Sequence, residues 1–168
     1  GLIWKKDAPE VLITNLPLIK YLEDYRNVSF TKDENGYVNV WDNIDQISQV
    51  TNIGLNYAEG IENLEGLEYF TNLTYLNVSN MGLTSLDVSM FPNLETLECW
   101  NNQFEKLDVS ANAKLVNLTC YEAGLSELDV THNPELETLS CGGNNIASLD
   151  LSKNLKLKRL MVGGEFGE

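Results

Sequence analysis

The stretch LETLECWNNQFEKLDVSANAK, residues 94–114, decides the fold, because the chain repeats its grammar every 21 residues. Asp108-Val109-Ser110 echoes Asp87-Val88-Ser89 and returns as Asp129-Val130-Thr131 and Asp150-Leu151-Ser152. Working outward, Leu94 belongs to a column with Leu73, Leu115, Leu136 and Leu157, and Leu97 to one with Leu76, Leu118, Leu139 and Leu160. Cys99 falls in line with Val78, Cys120, Cys141 and Val162. Phe104 lines up with Leu83, Leu125 and Ile146, and Leu107 with Leu86, Leu128 and Leu149. A fixed period of this length marks stacked structural units, each one turn of a solenoid.

The physics of one unit follows from its alternation. Leu76 and Val78 alternate with Tyr75, Asn77 and Ser79, the period of a half-buried strand. A single coil of this size cannot close its own core, so neighbouring coils must share one. Their strands then lie about 4.8 Å apart in a parallel sheet. Upstream, Ile53 to Leu76 spans 23 residues, so the first coil is looser, running through Leu55, Ile61, Leu64, Leu67 and Phe70.

Two segments resemble a known family. IENLEGLEYFTNLTYLNVSN, residues 61–80, is similar to the first repeats of internalin-like bacterial leucine-rich-repeat proteins. LETLSCGGNNIASLDLSKN, residues 136–154, is similar to the Cys-containing repeats of secreted gut-bacterial proteins. The resemblance covers about residues 16–168 and implies a secreted or surface-attached binding protein of unspecified ligand. The expected architecture is an α/β repeat solenoid, a leucine-rich-repeat right-handed coil of about five to six turns over residues 51–168, with parallel strands on one face. Residues 1–50 form an N-terminal extension and small helical cap. The family usually places Asn after each strand. Here that column reads Met81, Asn102, Ala123, Asn144 and Glu165, which predicts a less regular turn.

In the cap, Asn15-Leu16-Pro17 reads as a helix start with Asn15 as N-cap. Leu18, Tyr21, Leu22 and Tyr25 give the apolar stripe of that helix. A second helix is expected from about Asp42, with Val40, Ile44 and Ile47 on one face. Trp4 and the Val11-Leu12-Ile13 run are placed to pack on the cap. Between the helices, Thr31–Asp42 resembles a degenerate EF-hand loop, with Gly36 at the sharp turn and Val38 at the apolar place. Asp33, Asn35, Asn39 and Asp42 fall at ligand places, but the first place holds Thr31 and the last holds Asp42 in place of a longer Glu. Two weakened ligands favour a structural relic over a calcium site. No cofactor is expected.

Charge narrows the partners. Lys and Arg number 11 against 25 Asp and Glu, a formal net charge of -14. Such a chain repels phosphate backbones and anionic lipid, so nucleic acid is a poor partner. No apolar run reaches the roughly 18 residues that membrane insertion needs. The chain begins with Gly1, which suggests processing of a targeting segment and a secreted or cell-surface location. Residues 51–149 hold 14 acidic and two basic residues, whereas Lys153, Lys156, Lys158 and Arg159 make the far end basic. A monomer is expected, its last strand guarded by that charge and by a tail carrying Phe166.

Each candidate for chemistry has a structural explanation. Cys99, Cys120 and Cys141 lack metal-site pairing and point inward by the strand pattern, as buried free thiols. The Asp87, Asp108, Asp129 and Asp150 column suits turn chemistry. His132, the sole histidine, sits in the turn signature Thr-His-Asn-Pro with no triad partners, so an enzyme is not expected. Asn27, Asn72, Asn77 and Asn117 begin glycosylation sequons, which repeat grammar mostly explains.

The exposed strand face is the candidate site. Outward positions on its last row read Asn56, Ser79, Trp100, Tyr121, Gly142 and Gly163, two large aromatics followed by a glycine shelf. Exposed Trp and Tyr dominate interfaces. The expected binding residues are Tyr75, Glu98, Trp100, Tyr121, Glu122 and Arg159. Two partners fit: a protein, engaging several coils, or a cell-surface glycan stacked on Trp100 and Tyr121.

Overall fold

The computed structural model describes residues 8–163. Its frame is a parallel sheet of six three-residue strands: β3 (Asn52–Gly54), β4 (Tyr75–Asn77), β5 (Thr96–Glu98), β6 (Asn117–Thr119), β7 (Thr138–Ser140) and β8 (Arg159–Met161). They pair in sequence order, one strand per coil, so five turns of solenoid join six strands. The register pairs Ile53 with Leu76, Leu76 with Leu97, Leu97 with Leu118 and so on to Leu160. This is the repeat read from the sequence, and a one-residue slip would turn the leucine column out of the core.

Behind the strands, the expected columns form one continuous core. Leu73, Leu94, Leu115 and Leu136 are fully buried, as are Val78, Cys99 and Cys120. All three cysteines are free. Burial drives the Cys99 and Cys120 thiols well above their ordinary range, so both stay protonated and inert. On the return side, Asp87 Oδ1 accepts from the Ser89 backbone N–H at 2.9 Å and from its hydroxyl at 2.6 Å. Asp108 with Ser110 and Asp129 with Thr131 repeat the motif, and Asp150 accepts from the Ser152 N–H. The aspartate column is therefore turn chemistry.

Amides tie the coils together in two places. After the strands, Asn102 accepts from Met81 and Leu83 N–H and donates to Val78, Cys99 and Trp100 carbonyls. Asn144 does the same for Ala123, Leu125, Cys120, Cys141 and Gly142. Each Asn serves the coil before it, so the Met81 and Ala123 rungs are supplied by their neighbours. The second ladder is absent from the sequence reading. Asn112, Asn133 and Asn154 are buried, and each donates to two carbonyls of the preceding coil, lying 21 and 24 residues back.

The N-terminal end is closed by a cap. Strand β1 (Leu12–Ile13) pairs antiparallel with β2 (Val38–Asn39), and α1 (Leu16–Tyr25) lays Leu18, Ile19, Tyr21 and Leu22 on the core. Pro17 sits in the first turn of α1, as the sequence implies. Three details differ from expectation. Asn15 holds the N-cap position but makes no side-chain cap bond; its amide donates instead to the Asn63 and Glu65 carbonyls, tying the helix start to the first coil. Tyr25 is 68% exposed, outside the buried stripe. The second helix begins as a turn of 3-10 helix at Trp41–Asn43 before α2 (Ile44–Ser48), and Ile44 faces solvent while Val40 and Ile47 are buried. Gly66 lets cap and first coil touch: at φ 94°, a Cβ there would fall 2.6 Å from the Ile13 side chain. Trp4 lies outside the described residues.

At the opposite end, β8 is an edge strand; its Leu160 and Met161 and the following Val162 are 41%, 48% and 58% exposed. Lys158 pairs with Glu137 of the previous coil at 2.6 Å and Lys156 with Glu135, so these lysines lie sideways across coils, not over the edge. Phe166 lies outside the described residues.

Candidate functional site

The register places the candidate residues in rows across the strand face. Tyr75, Thr96, Asn117, Thr138 and Arg159 form one row, and Gly54, Asn77, Glu98, Thr119, Ser140 and Met161 the next. The last row is Asn56, Ser79, Trp100, Tyr121 and Gly142. Several outward positions are not open to solvent. Asn77, Ser79 and Ser140 are 6%, 0% and 7% exposed, and Gly142 is also buried. Larger neighbours cover them, and the side chains of Asn77 and Ser79 bond within the face. Asn77 Nδ2 donates to Glu98 Oε2, and Ser79 Oγ accepts from the Trp100 N–H at 3.2 Å.

What remains at the centre of the face is a half-buried patch on β4, β5 and β6. The Tyr75 hydroxyl donates to Glu98 Oε2 at 2.5 Å, fixing both side chains. Burial, then the bond to Glu98, raises the Tyr75 hydroxyl above its ordinary value, so it stays a neutral donor. Trp100 and Tyr121 stack, with ring centroids 5.4 Å apart and planes 6° from parallel. One face of each ring is therefore occupied by the other. Burial, then the nearby Glu122 and Glu98 charges, raises the Tyr121 hydroxyl as well. Glu122 holds a left-handed backbone at φ 50°, in a turn column otherwise filled by Asn80, Asn101 and Gly143. Asn and Gly adopt that conformation readily, whereas Glu pays for it, and such cost concentrates at functional positions. Arg159 does not join the patch. It lies on β8, two strands beyond β6 and four from β4, roughly 19 Å from Tyr75 at the usual strand spacing.

The candidate residues of the cap loop bond within their own turn. Asp33 Oδ1 accepts from the Asn35 and Tyr37 N–H groups at 2.8 and 2.9 Å, the bonding of a tight turn. Asn39 Oδ1 accepts from Trp41 N–H, and its amide donates to Asp42 at 3.3 Å. The residue that organises this loop is Asn43, fully buried, which accepts from Thr31 N–H and donates to the Thr31 and Asn39 carbonyls. Sequence reading stopped one position short of it at Asp42. Among the described residues no three His, Cys, Asp or Glu side chains converge where an ion would sit. His132 is exposed, stands 3.3 Å from Thr131 Oγ1, and lies near enough to Asp108 and Asp129 to favour their charged forms.

The family model for leucine-rich repeats (two copies) matches residues 71–112. The chain superposes on the functional domain of InlJ from Listeria monocytogenes with a TM-score of 0.57 and 33% identity, covering 67% of this chain and 27% of that one. The chain is an internalin-like leucine-rich-repeat protein. The InlJ domain is described as including a cysteine ladder, and Cys99, Cys120 and Cys141 stand on adjacent coils here. A second structure, an internalin (inlF) from Listeria monocytogenes, is similar in fold, with a TM-score of 0.50 and 18% identity over 82% of this chain. The chain spans only 27% and 52% of the lengths of these two proteins. No curated protein matches the sequence.

Proposed function

We propose that this chain is a non-catalytic, extracellular binding module that engages a protein partner through its strand face. The observation that carries this reading is the fixed patch of Tyr75, Glu98, Trp100, Tyr121 and Glu122. Its aromatic stack and its Tyr–Glu pair are pre-ordered, so little side-chain entropy is lost on binding. Pre-ordered aromatic anchors ringed by polar groups are the usual centre of a protein interface. The surrounding acidity favours a partner with a basic surface. The fold family supports an interaction role, and its internalin-like members support a secreted or surface location. Among the described residues no helix is long and apolar enough to cross a membrane. Arg159 belongs to this reading only if the footprint extends to the last coil.

A glycan on Trp100 and Tyr121 is the second reading, for which the stack leaves at most the outer face of each ring. The experiment is a screen of the chain against an array of purified extracellular proteins, repeated with Trp100→Ala and Tyr121→Ala. Hits should lose about tenfold or more in affinity with either variant. Hits indifferent to both, or none at all, would remove the strand face from consideration.

A further inference from the structure

A second concavity lies outside that patch, between α1 and the first coil. It encloses about 640 Å³ and is walled by Tyr21, Tyr25 and Arg26 from the helix side and by Gly54, Asn56 and Tyr57 from the coil. That volume is in the range of small-ligand sites. Tyr25 and Tyr57 are 68% and 85% exposed, the most solvent-facing aromatic side chains of the described chain. Tyr21 and Tyr25 lie 5.5 Å apart, tilted by 37°, so they do not cover each other as Trp100 and Tyr121 do.

Charge sets this groove apart from the rest of the surface. Its charged lining residues are Lys20, Asp24, Arg26 and Glu59, two of each sign, on a chain of net charge -14. Lys20 and Asp24 pair with each other at 2.6 Å, and Arg26 reaches Asn52 while its guanidinium stands over the Tyr21 ring. An anionic ligand gains no net attraction here and meets an acidic chain on approach. A peptide that added itself to the sheet would need the free edge of β3. Tyr21 takes that place: its hydroxyl accepts the Gly54 N–H at 2.9 Å. Open tyrosine faces, an Asn amide and carboxylates within one neutral groove instead suit rings that carry C–H on one side and hydroxyls around the rim.

We propose that the groove between α1 and the first coil binds a neutral oligosaccharide, stacked on Tyr25 and Tyr57 and hydrogen-bonded by Asn56, Asp24 and Glu59. This site is separate from the protein-binding patch and does not depend on it. The test is calorimetric titration of the whole chain with neutral tri- and tetrasaccharides of the gluco, manno, galacto and N-acetylglucosamine series, with neutral tetrapeptides alongside. One sugar series should bind saturably. Tyr25→Ala and Tyr57→Ala should each weaken it by about tenfold or more. Both side chains are largely exposed, so the melting temperature should hold, and Trp100→Ala should leave sugar binding unchanged. The proposal is overturned if no series saturates, if the Tyr25→Ala/Tyr57→Ala double variant binds as well as wild type, or if Trp100→Ala abolishes binding. Saturable binding of the tetrapeptides in place of the sugars overturns it too. Loss of a protein partner on Trp100→Ala reports on the strand face alone, so the two readings fail separately.

Discussion

The first and last parts of the solenoid close the same turn with opposite chemistry. One column of the repeat reads Phe70, Phe91, Asn112, Asn133, Asn154. The backbone there is the same in each coil: Phe91 N–H bonds Val88 O and Leu94 N–H bonds Phe91 O, and the Asn112, Asn133 and Asn154 turns repeat both bonds at their own positions. Near the cap the space is filled by fully buried phenyl rings. Farther on it is filled by amides, each donating to two carbonyls of the coil before. A phenyl ring stabilises by volume and tolerates any apolar neighbour. An amide stabilises only if the preceding coil is already folded in register, because the carbonyls it needs belong to that coil. The contrast is between a core that is filled and a core that is bonded.

The largest effect should come from emptying the filled half. Phe91→Ala should cost about 3–5 kcal/mol, measured by urea unfolding, since a fully buried ring is replaced by a cavity. Phe91→Leu should restore most of it, because the site asks for volume. If Phe91→Leu were as damaging as Phe91→Ala, the filled description would be wrong. In the bonded half, Asn133→Ala should cost roughly 1–3 kcal/mol, as the buried Val109 and Asn112 carbonyls each lose their side-chain donor and keep only the backbone N–H of Asn112 or Leu115. Here Asn133→Leu should be no better than Asn133→Ala. A stabilising Asn133→Leu would mean that the ladder contributes no more than volume.

Smaller effects sharpen the contrast. The cysteine column lies in the shared core, and Cys120→Ser should be less stable than Cys120→Ala by about 1–3 kcal/mol, because serine buries a hydroxyl among apolar groups. Equal melting temperatures for the two variants, or rapid labelling of the native thiol, would show that the column admits water. The smallest effects belong to the Asp turns, which span both halves and serve as the control. Asp87→Ala beside Phe91 and Asp129→Ala beside Asn133 should cost alike. In both, the side-chain hydroxyl of Ser89 or Thr131, then the backbone N–H, holds the carboxyl below its ordinary 3.8. A depressed carboxyl stabilises the fold above its ordinary value and loses that contribution as the pH falls through the lowered one. Wild-type melting should therefore begin to fall below about pH 4, with the same onset in either half, and each variant should show a shallower acid limb. Unequal slopes would mean that the turns sense the chemistry packed behind them.

Much of the fold was legible because a repeat writes its contacts many times. Leu97 and Leu118 must be equivalent if they recur at a fixed interval, and equivalence across coils implies a shared column. The cap was legible in outline from the Pro17 helix start and the stripe of Leu18, Tyr21 and Leu22. The candidate site was legible as a face but not as a surface. Period two separates inward from outward, yet whether an outward Asn77 or Ser79 reaches solvent depends on the size of Tyr75, Glu98 and Trp100 beside it. The second amide ladder could have been found from its period, since Asn112, Asn133 and Asn154 recur as faithfully as the leucines. Asn in a turn has a local explanation as well, and that hides its reach into the coil before.

By itself the sequence determined the period, the parallel register, the inward columns, the Asp turns and the acidity of the surface. All of these are set within one repeat or by repetition itself. Tertiary structure alone decided where each polar side chain spends its bonds. Asn15 leaves its own helix for the Asn63 and Glu65 carbonyls, Asn133 reaches back to Val109 and Asn112, and Tyr21 takes the free N–H of Gly54. It also decided that Trp100 turns a face to Tyr121 while Tyr25 and Tyr57 stay open. The reason is physical. A hydrophobic side chain needs only an inside, which alternation marks along the chain. A hydrogen bond or an aromatic stack needs a particular partner at a particular distance and angle, and that partner arrives from another coil.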